Sequence, residues 1–336
     1  MQVNHIPLLY VNGKGSTPQF TLEHNETGID VLTFETHEQD PLLKGLKYED
    51  KVEAGIDCAS YRVKAMDLQD GDVKVECRLD PFKLRSSFFD LKLGTDYDSL
   101  LDLIYAVLGT SGWAVEVSGA WSSDLDGMTL EESYTGSGLE ILKAVHEQFG
   151  VCFQFEEVTL TATIYDPYGV DPNEVPVLLH EEVNLLGVDC KGDSYEIVTR
   201  LYPRGVDEND NPITIASVNG GNEFIDCFDY TSIVYPAVWE YDVPTTPAGL
   251  LAAAKRHLRK ICVPQESYRF KLMDLYRADP EKWKNYHFKV GGVAMYYDRI
   301  AKQNKRMQVT KIIEKSRCPE ETEIELQYRP ILGGVG

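Results

Sequence analysis

Between Tyr61 and Leu79 the chain alternates apolar and polar residues with a period of two. Tyr61, Val63 and Ala65 interleave with Arg62 and Lys64. After Asp70-Gly71, Val73, Val75, Cys77 and Leu79 interleave with Lys74, Glu76 and Arg78. Side chains of a strand point to its two faces in turn, so this pattern makes a ribbon with one dry face. Asp-Gly supplies the positive φ angles of a two-residue hairpin turn. Such a hairpin is unstable alone and must bury its apolar face against further strands or a helix. Upstream, the Asn12-Gly13 turn signal and the apolar Ile29, Val31, Leu32 and Phe34 extend the same character. Residues 1–88 are therefore expected to form a first β-rich domain.

The period then changes. Beyond Thr95, Leu100, Leu101, Ile104, Val107 and Leu108 recur at helical spacing up to Gly109. Ser137 and Glu140 have the three-residue offset of a capping box. They open a helix with Leu142, Val145 and Phe149 on one face and Gly150 as its stop. Strand-like sequence follows at 151–155 and 159–164, so 89–178 reads as an inserted α+β domain. Residues 179–243 and 285–332 return to strand character. The stretch between them, 244–284, carries a helix marked by Thr246 as cap, Pro247 in the first turn, and Leu250, Leu251, Ala254, Leu258 and Ile261 along one side. Lys255, Arg256, Arg259 and Lys260 lie in its last turns, where cations favour the helix dipole. The expected fold class is α+β, mainly β, with a helical insertion at 244–284.

A chain of 336 residues exceeds one ordinary core, which agrees with several domains. Residues 1–10 carry no basic run before an apolar core, so no signal peptide is expected and folding is expected in the cytoplasm. The seven cysteines, Cys58, Cys77, Cys152, Cys190, Cys227, Cys262 and Cys318, are odd in number and widely spaced, without a Cys-x-x-Cys or a zinc-like Cys/His cluster. They read as reduced thiols in a reducing compartment, most of them acting as small hydrophobes. The formal net charge of −21 disfavours stable nucleic-acid binding and anionic membranes, because both partners are negative.

Enzyme signatures fail at identifiable positions. His146-Glu147 lacks the second histidine of His-Glu-x-x-His because Gly150 stands there, and His180-Glu181 fails in the same way. Ser111 and Ser137 each have only one glycine of a Gly-x-Ser-x-Gly elbow, and no phosphate-binding Gly-Lys-Ser/Thr loop occurs. The remaining histidines, His5, His24, His37, His257 and His287, are scattered. Asp207, Asn209 and Asn211 match the first, third and fifth positions of a calcium loop. Pro212 and Val218 replace its glycine and its glutamate, so a polar hairpin loop is expected. Glu131-Glu132, Glu156-Glu157 and Glu320-Glu321 read as solvated acidic faces. Tyr230, Tyr235, Trp239 and Tyr241, with Pro236 and Pro244, read as a proline-broken edge segment with its rings packed inward. A protein or sugar contact surface is the alternative. No catalytic, cofactor-binding or metal-binding residue is expected, and no cofactor.

The segment Tyr195-Glu-Ile-Val-Thr-Arg-Leu-Tyr-Pro-Arg-Gly205, followed by Ile213-Thr-Ile-Ala-Ser-Val-Asn-Gly220, resembles the signature of phage tail-associated proteins, the prophage endopeptidase tail family. The hairpin opening at Tyr61-Arg-Val-Lys-Ala-Met66, the helix Leu139–Gly150 and the pair Phe288–Gly292 and Met307–Glu314 are similar to further family segments, in the same order. The resemblance implies two tube-like β-barrel domains per chain and a homotrimeric baseplate or tail-tip hub of a bacteriophage or prophage. It implies a virion location after assembly in the bacterial cytoplasm. The implied partners are further copies of the chain, a hexameric distal tail protein and the tape measure protein. The resemblance also implies a fibre or lysin domain downstream of this hub region, with Gly333-Gly334-Val335-Gly336 just past the expected last barrel strand. No family catalytic residue falls on these positions, so no enzyme activity is expected. The alternatives are a peptidoglycan endopeptidase and a cell-wall carbohydrate-binding tail adhesin. No membrane anchor is expected.

Overall fold

The computed structural model describes residues 8–11, 14–16, 19–55, 59–81, 83–169, 174–299 and 302–329. The Asn12-Gly13 turn signal, Cys58 and Gly333–Gly336 lie outside the described residues.

Seven strands make the first β region: β1 (Leu8–Val11), β2 (Lys14–Ser16), β3 (Phe20–Asn25), β4 (Val31–His37), β5 (Lys51–Gly55), β6 (Ala59–Gln69) and β7 (Asp72–Leu79). The hairpin read from the alternation is β6–β7. It closes at Gln69↔Asp72, with Asp70 at φ 52 and Gly71 at φ 91, the two left-handed positions that such a turn requires. Its inward set, Tyr61, Val63, Val75, Cys77 and Leu79, is buried with Phe20, Leu32 and Phe34 in one core. A bulge between Val63 and Ala65 breaks the alternation. Towards the end of β6, Leu68 is exposed.

The next region holds β8 (Phe88–Lys92), α1 (Leu100–Thr110), β9 (Ala114–Ser118), α2 (Ser123–Gly127), β10 (Ser133–Ser137), α3 (Gly138–Phe149), β11 (Cys152–Glu156) and β12 (Thr161–Tyr165). The cap of α1 is Ser99, whose hydroxyl accepts from the Asp102 amide. Both bonds of the Ser137–Glu140 capping box are made at α3, and Gly150 ends that helix in the left-handed conformation at φ 67. Leu103, Ile104 and Val107 of α1 and Leu142, Val145 and Phe149 of α3 close over Phe153 and Ile164. Each such side chain contributes about 1.5–3 kcal/mol by leaving water.

The remainder contains β13 (Val177–Leu179), β14 (Leu185–Asp193), β15 (Arg200–Val206), β16 (Pro212–Thr214), β17 (Ile225–Asp226), β18 (Pro236–Tyr241), α4 (Pro247–Ile261), β19 (Gln265–Leu272), α5 (Leu275–Ala278), β20 (Val293–Asp298), β21 (Gln303–Lys315) and β22 (Cys318–Gln327). Helix α4 starts as its sequence predicts, with the Thr246 hydroxyl accepting from the Gly249 amide and Pro247 in the first turn. Residues 265–272, within the stretch read as a helical insertion, instead form β19 between β14 and β22. Its Tyr268, Phe270 and Leu272 are buried beside Ile324 and Leu326 of β22. The strands β15–β18 form a separate four-stranded sheet that packs on α4, where Leu201 meets Ala254 and Leu258.

The molecule is mainly β and of the α+β class. Two separate barrels are not what its hydrogen bonds draw. Thirteen strands form one sheet whose main path runs β14-β19-β22-β21-β3-β4-β7-β6-β5-β1-β2, with β20 on β21 and β13 on β20. No ladder among the described residues closes a ring. The reason is β21, a 13-residue strand long enough to serve two partners along one edge. Its first half pairs with β20 and its last five residues pair with β3, joining the two β regions edge to edge.

Candidate functional site

The β3–β21 seam is bonded by more than its ladder. Lys311 Nζ lies 2.8 Å from Glu23 Oε1 across the pair. Arg329, just beyond β22, donates to both oxygens of Glu26 at 2.6 and 2.8 Å and to Gln308 Oε1 at 2.6 Å. Burial works against the charge of Arg329, but its bonds to Glu26 raise its pKa further above the ordinary guanidinium value.

Beside the seam lies a cleft of about 400 Å³. Apolar side chains, among them Phe20, Tyr61 and Ile312, line it together with His24, Asp30, Asp274, Arg277 and Glu314. His24 Nδ1 and Asp30 Oδ2 are 2.5 Å apart. Burial disfavours the imidazolium, yet the Asp30 charge and hydrogen bond carry the His24 pKa up to about 9. Burial raises Asp274 to about 6 while it caps α5 by accepting from the Arg277 amide. His287 stacks on Tyr276 at 3.9 Å and is held at about 4, by burial first and the Lys289 charge second. Arg277 is tied to the Lys315 carbonyl at 2.8 Å and lies 3.4 Å from Glu314. These groups thus bond one another and the backbone of the seam. Among the described residues no three His, Cys, Asp or Glu side chains group as metal ligands.

A second joint fixes the inserted domain. Two arginines of α4, read from sequence as dipole-compensating cations, turn into it instead. Arg256 Nη1 lies 3.0 Å from Asp166 Oδ1 with both side chains buried, and Arg259 Nη1 lies 2.6 Å from Asp124 Oδ2. Helix packing there is close enough that a Cβ on Gly249 would stand 2.3 Å from the hydroxyls of Thr129 and Thr245.

The aromatic segment around Trp239 divides in two. Trp239 packs inward, stacked on His257 at 4.4 Å, and Tyr241 lies 5.2 Å from it. Tyr230 and Tyr235 face outward with Phe228, Ile233, Val234 and Val238, an exposed apolar run. Thr199 holds this run against β15: its hydroxyl donates to the Ile233 carbonyl and accepts from the Tyr235 amide. The neighbouring Arg200 grips Asp226 with two bonds at 2.7 and 2.8 Å and covers the Phe224 ring. Gly205 lets Leu250 of α4 approach to 3.3 Å of where a Cβ would be. The Thr-Arg-Leu-Tyr-Pro-Arg-Gly strand is thus the hub of this small sheet, pairing with β16, β17 and β18.

The other motifs have local roles. The Asp207 carboxylate accepts from the amides of Asn209 and Asn211 and from the Asn211 side chain, closing a polar hairpin loop. The Asn211 bonds, the side-chain one foremost, hold its pKa below the ordinary value. His146 Nδ1 meets the Val151 carbonyl at 2.8 Å, beyond the end of α3. Glu157 receives the Ser60 amide at 2.7 Å, linking the inserted domain to β6.

Residues 173–328, which contain the β15 strand and most of the second β region, match the family model described as prophage endopeptidase tail. The matched stretch is a little under half of the chain. It spans the four-stranded sheet, α4 and the β19–β22 side of the seam. The whole fold is similar to a 43 kDa tail protein of prophage MuSo2 from Shewanella oneidensis, at 11% identity and a TM-score of 0.65, covering 96% of this chain and 98% of that one. It is also similar to a tail protein from Neisseria meningitidis MC58, at 13% identity and 0.62, covering 96% of each chain. A third likeness is to prophage tail protein gp18 from Listeria monocytogenes EGD-e, at 12% and 0.56, covering 95% of this chain and 93% of that one. No curated protein matches the chain by sequence.

Proposed function

We propose that the chain is a structural hub of a bacteriophage or prophage tail, set at the baseplate or tail tip and working as a homotrimer. The observation that carries this reading is the pairing of the family match over 173–328 with a fold likeness to prophage tail proteins that runs nearly end to end. Each β region supplies one unit of tube wall, so three chains bring six units. Six units suit a hexameric distal tail protein above, the tape measure protein inside, and a threefold fibre or lysin part below. The open ladder favours this arrangement. Its main path ends at β14 and at β2, and a strand edge with unpaired amides and carbonyls is stabilised by a neighbouring copy. The exposed apolar run at 228–238 supports a protein neighbour in the same way.

The chain acts without catalysis in this proposal. The titratable groups beside the seam hold the two β regions together, and no triad, zinc or phosphate-loop motif stands in the sequence. The acidic excess faces the channel, where it lets DNA pass without sticking.

Light scattering of the purified chain tests the assembly: the expected mass is three times 37.9 kDa, approached as concentration rises. A monomer at all concentrations, or a dimer, would overturn the trimer. Incubation with purified cell walls tests the absence of catalysis. Release of amines or reducing sugars that a point change in this chain abolishes would replace the hub with an endopeptidase or glycosidase. A neutral or basic channel wall in an assembled particle would refute the acidic lining.

A further inference from the structure

We propose that Cys227 and Cys262 are a disulfide site: two thiols that the fold holds ready for oxidation and that, once joined, lock the exposed 228–235 segment to the end of α4. Their sulfurs stand 2.7 Å apart although 35 positions separate them in the chain. Bonded sulfurs lie about 2.03–2.05 Å apart, so bond formation needs only a short further approach. Backbone bonds anchor both residues. The Cys227 amide donates to the Thr199 carbonyl at 2.9 Å, and the Cys262 amide donates to the Leu258 carbonyl at 2.8 Å as the C-cap of α4. Both belong to the small core under β15, with Ala254, Leu258 and Val263.

The two thiols are not equivalent. Cys262 is fully buried, whereas Cys227 is partly exposed. The hydrogen bond between the two sulfurs lowers the Cys227 pKa; the same bond, reinforced by burial, raises that of Cys262. Cys227 is therefore the thiol that an external reagent meets first and the better nucleophile of the two. With a small-molecule disulfide such as oxidised glutathione, the Cys227 thiolate attacks one sulfur and displaces one glutathione thiolate. Cys262 then loses its proton, attacks the Cys227 sulfur of the mixed disulfide and displaces the second. Two protein thiols are oxidised, one glutathione disulfide is reduced to two thiols, and the protons released end on those thiols. Cys190 is exposed and, among the described residues, has no bond to a second cysteine, so the same reagent should stop there at the mixed disulfide. This chemistry needs only the two thiols and the oxidant, and it is independent of the tail role.

The test uses the full chain, purified under reductant, exposed to oxidised glutathione, alkylated and mapped by mass spectrometry without reduction. The expected result is a cross-linked peptide joining Cys227 to Cys262, with Cys190 carrying glutathione. The melting temperature should rise by roughly 5 °C relative to the reduced chain, because the closed loop restricts the unfolded state. Cys227→Ser should lose both the cross-link and the rise. Cys262→Ala, the second variant, should leave Cys227 as a mixed disulfide only. Free or separately glutathionylated Cys227 and Cys262 in the oxidised wild type, with Cys190 modified, would overturn the site. So would a cross-link from Cys227 to any other cysteine.

Discussion

Two joints hold the domains together, and they are built on opposite principles. The β3–β21 seam is a backbone joint, in which five residue pairs continue the sheet and side chains such as Arg329 and Lys311 brace it from partly exposed positions. The joint between α4 and the inserted domain has no ladder. It rests on the buried Arg256–Asp166 pair, on Arg259–Asp124, and on the close approach at Gly249. Backbone hydrogen bonds survive most side-chain changes, whereas a buried ion pair loses its balance when one partner goes. The α4 joint should therefore be fragile to single substitutions and the seam tolerant.

Arg256→Ala is the sharpest way to break that contrast. It leaves the Asp166 carboxylate buried without its partner and should destabilise the fold by about 3–5 kcal/mol, read from denaturant midpoints. The double change Arg256→Met with Asp166→Leu should recover most of the loss, since it removes both charges together. A double variant as unstable as Arg256→Ala would mean that packing, not charge, governs the joint.

Gly249→Ala should follow at about 1–3 kcal/mol, because the new methyl must displace the paired hydroxyls of Thr129 and Thr245. If its melting point matches that of the parent, the helix contact is looser than the geometry says. At the seam, Arg329→Gln should weaken stability by only about 1–2 kcal/mol, as the ladder stays and Glu26 regains some water. A loss equal to that of Arg256→Ala would erase the distinction between the joints.

The smallest effects concern pH at the seam. His24 and Asp274 both have folded pKa values above their ordinary ones, about 9 against 6.5 and about 6 against 3.8. A raised folded pKa means that the protonated form is the stabilised one, so the contribution is full below the ordinary pKa and lost as pH rises through the folded one. Stability at the seam should thus decline first between about pH 4 and 6, through Asp274, and again between about pH 6.5 and 9, through His24. Asp274→Asn keeps the cap of α5 and should flatten only the lower step; His24→Gln should flatten only the upper. Unfolding curves across this range in both variants check the assignment, and an unchanged profile would show that other groups carry the dependence.

The sequence by itself determined what is decided within a few residues. The Asp70-Gly71 hairpin, the Ser137–Glu140 box with its Gly150 stop, and the Thr246-Pro247 start of α4 are all present, because turn sterics and capping bonds are made by neighbours in the chain. The Thr-Arg-Leu-Tyr-Pro-Arg-Gly strand was legible as a motif, but not its place at the centre of a sheet on α4. The seam cleft was not legible either: His24 read as one scattered histidine, and only the fold sets it against Asp30 in one cleft with Asp274 and Arg277. Tertiary structure alone chose the distant partners. It took 265–272 out of a helical stretch into the large sheet, set Arg256 on Asp166, closed Arg329 on Glu26 across 303 positions, and brought Cys227 to Cys262. Local patterns state that an arginine, a cysteine or a strand edge needs a partner. Which partner it meets depends on how the loops close and which apolar faces bury together, and no short window of sequence contains that information.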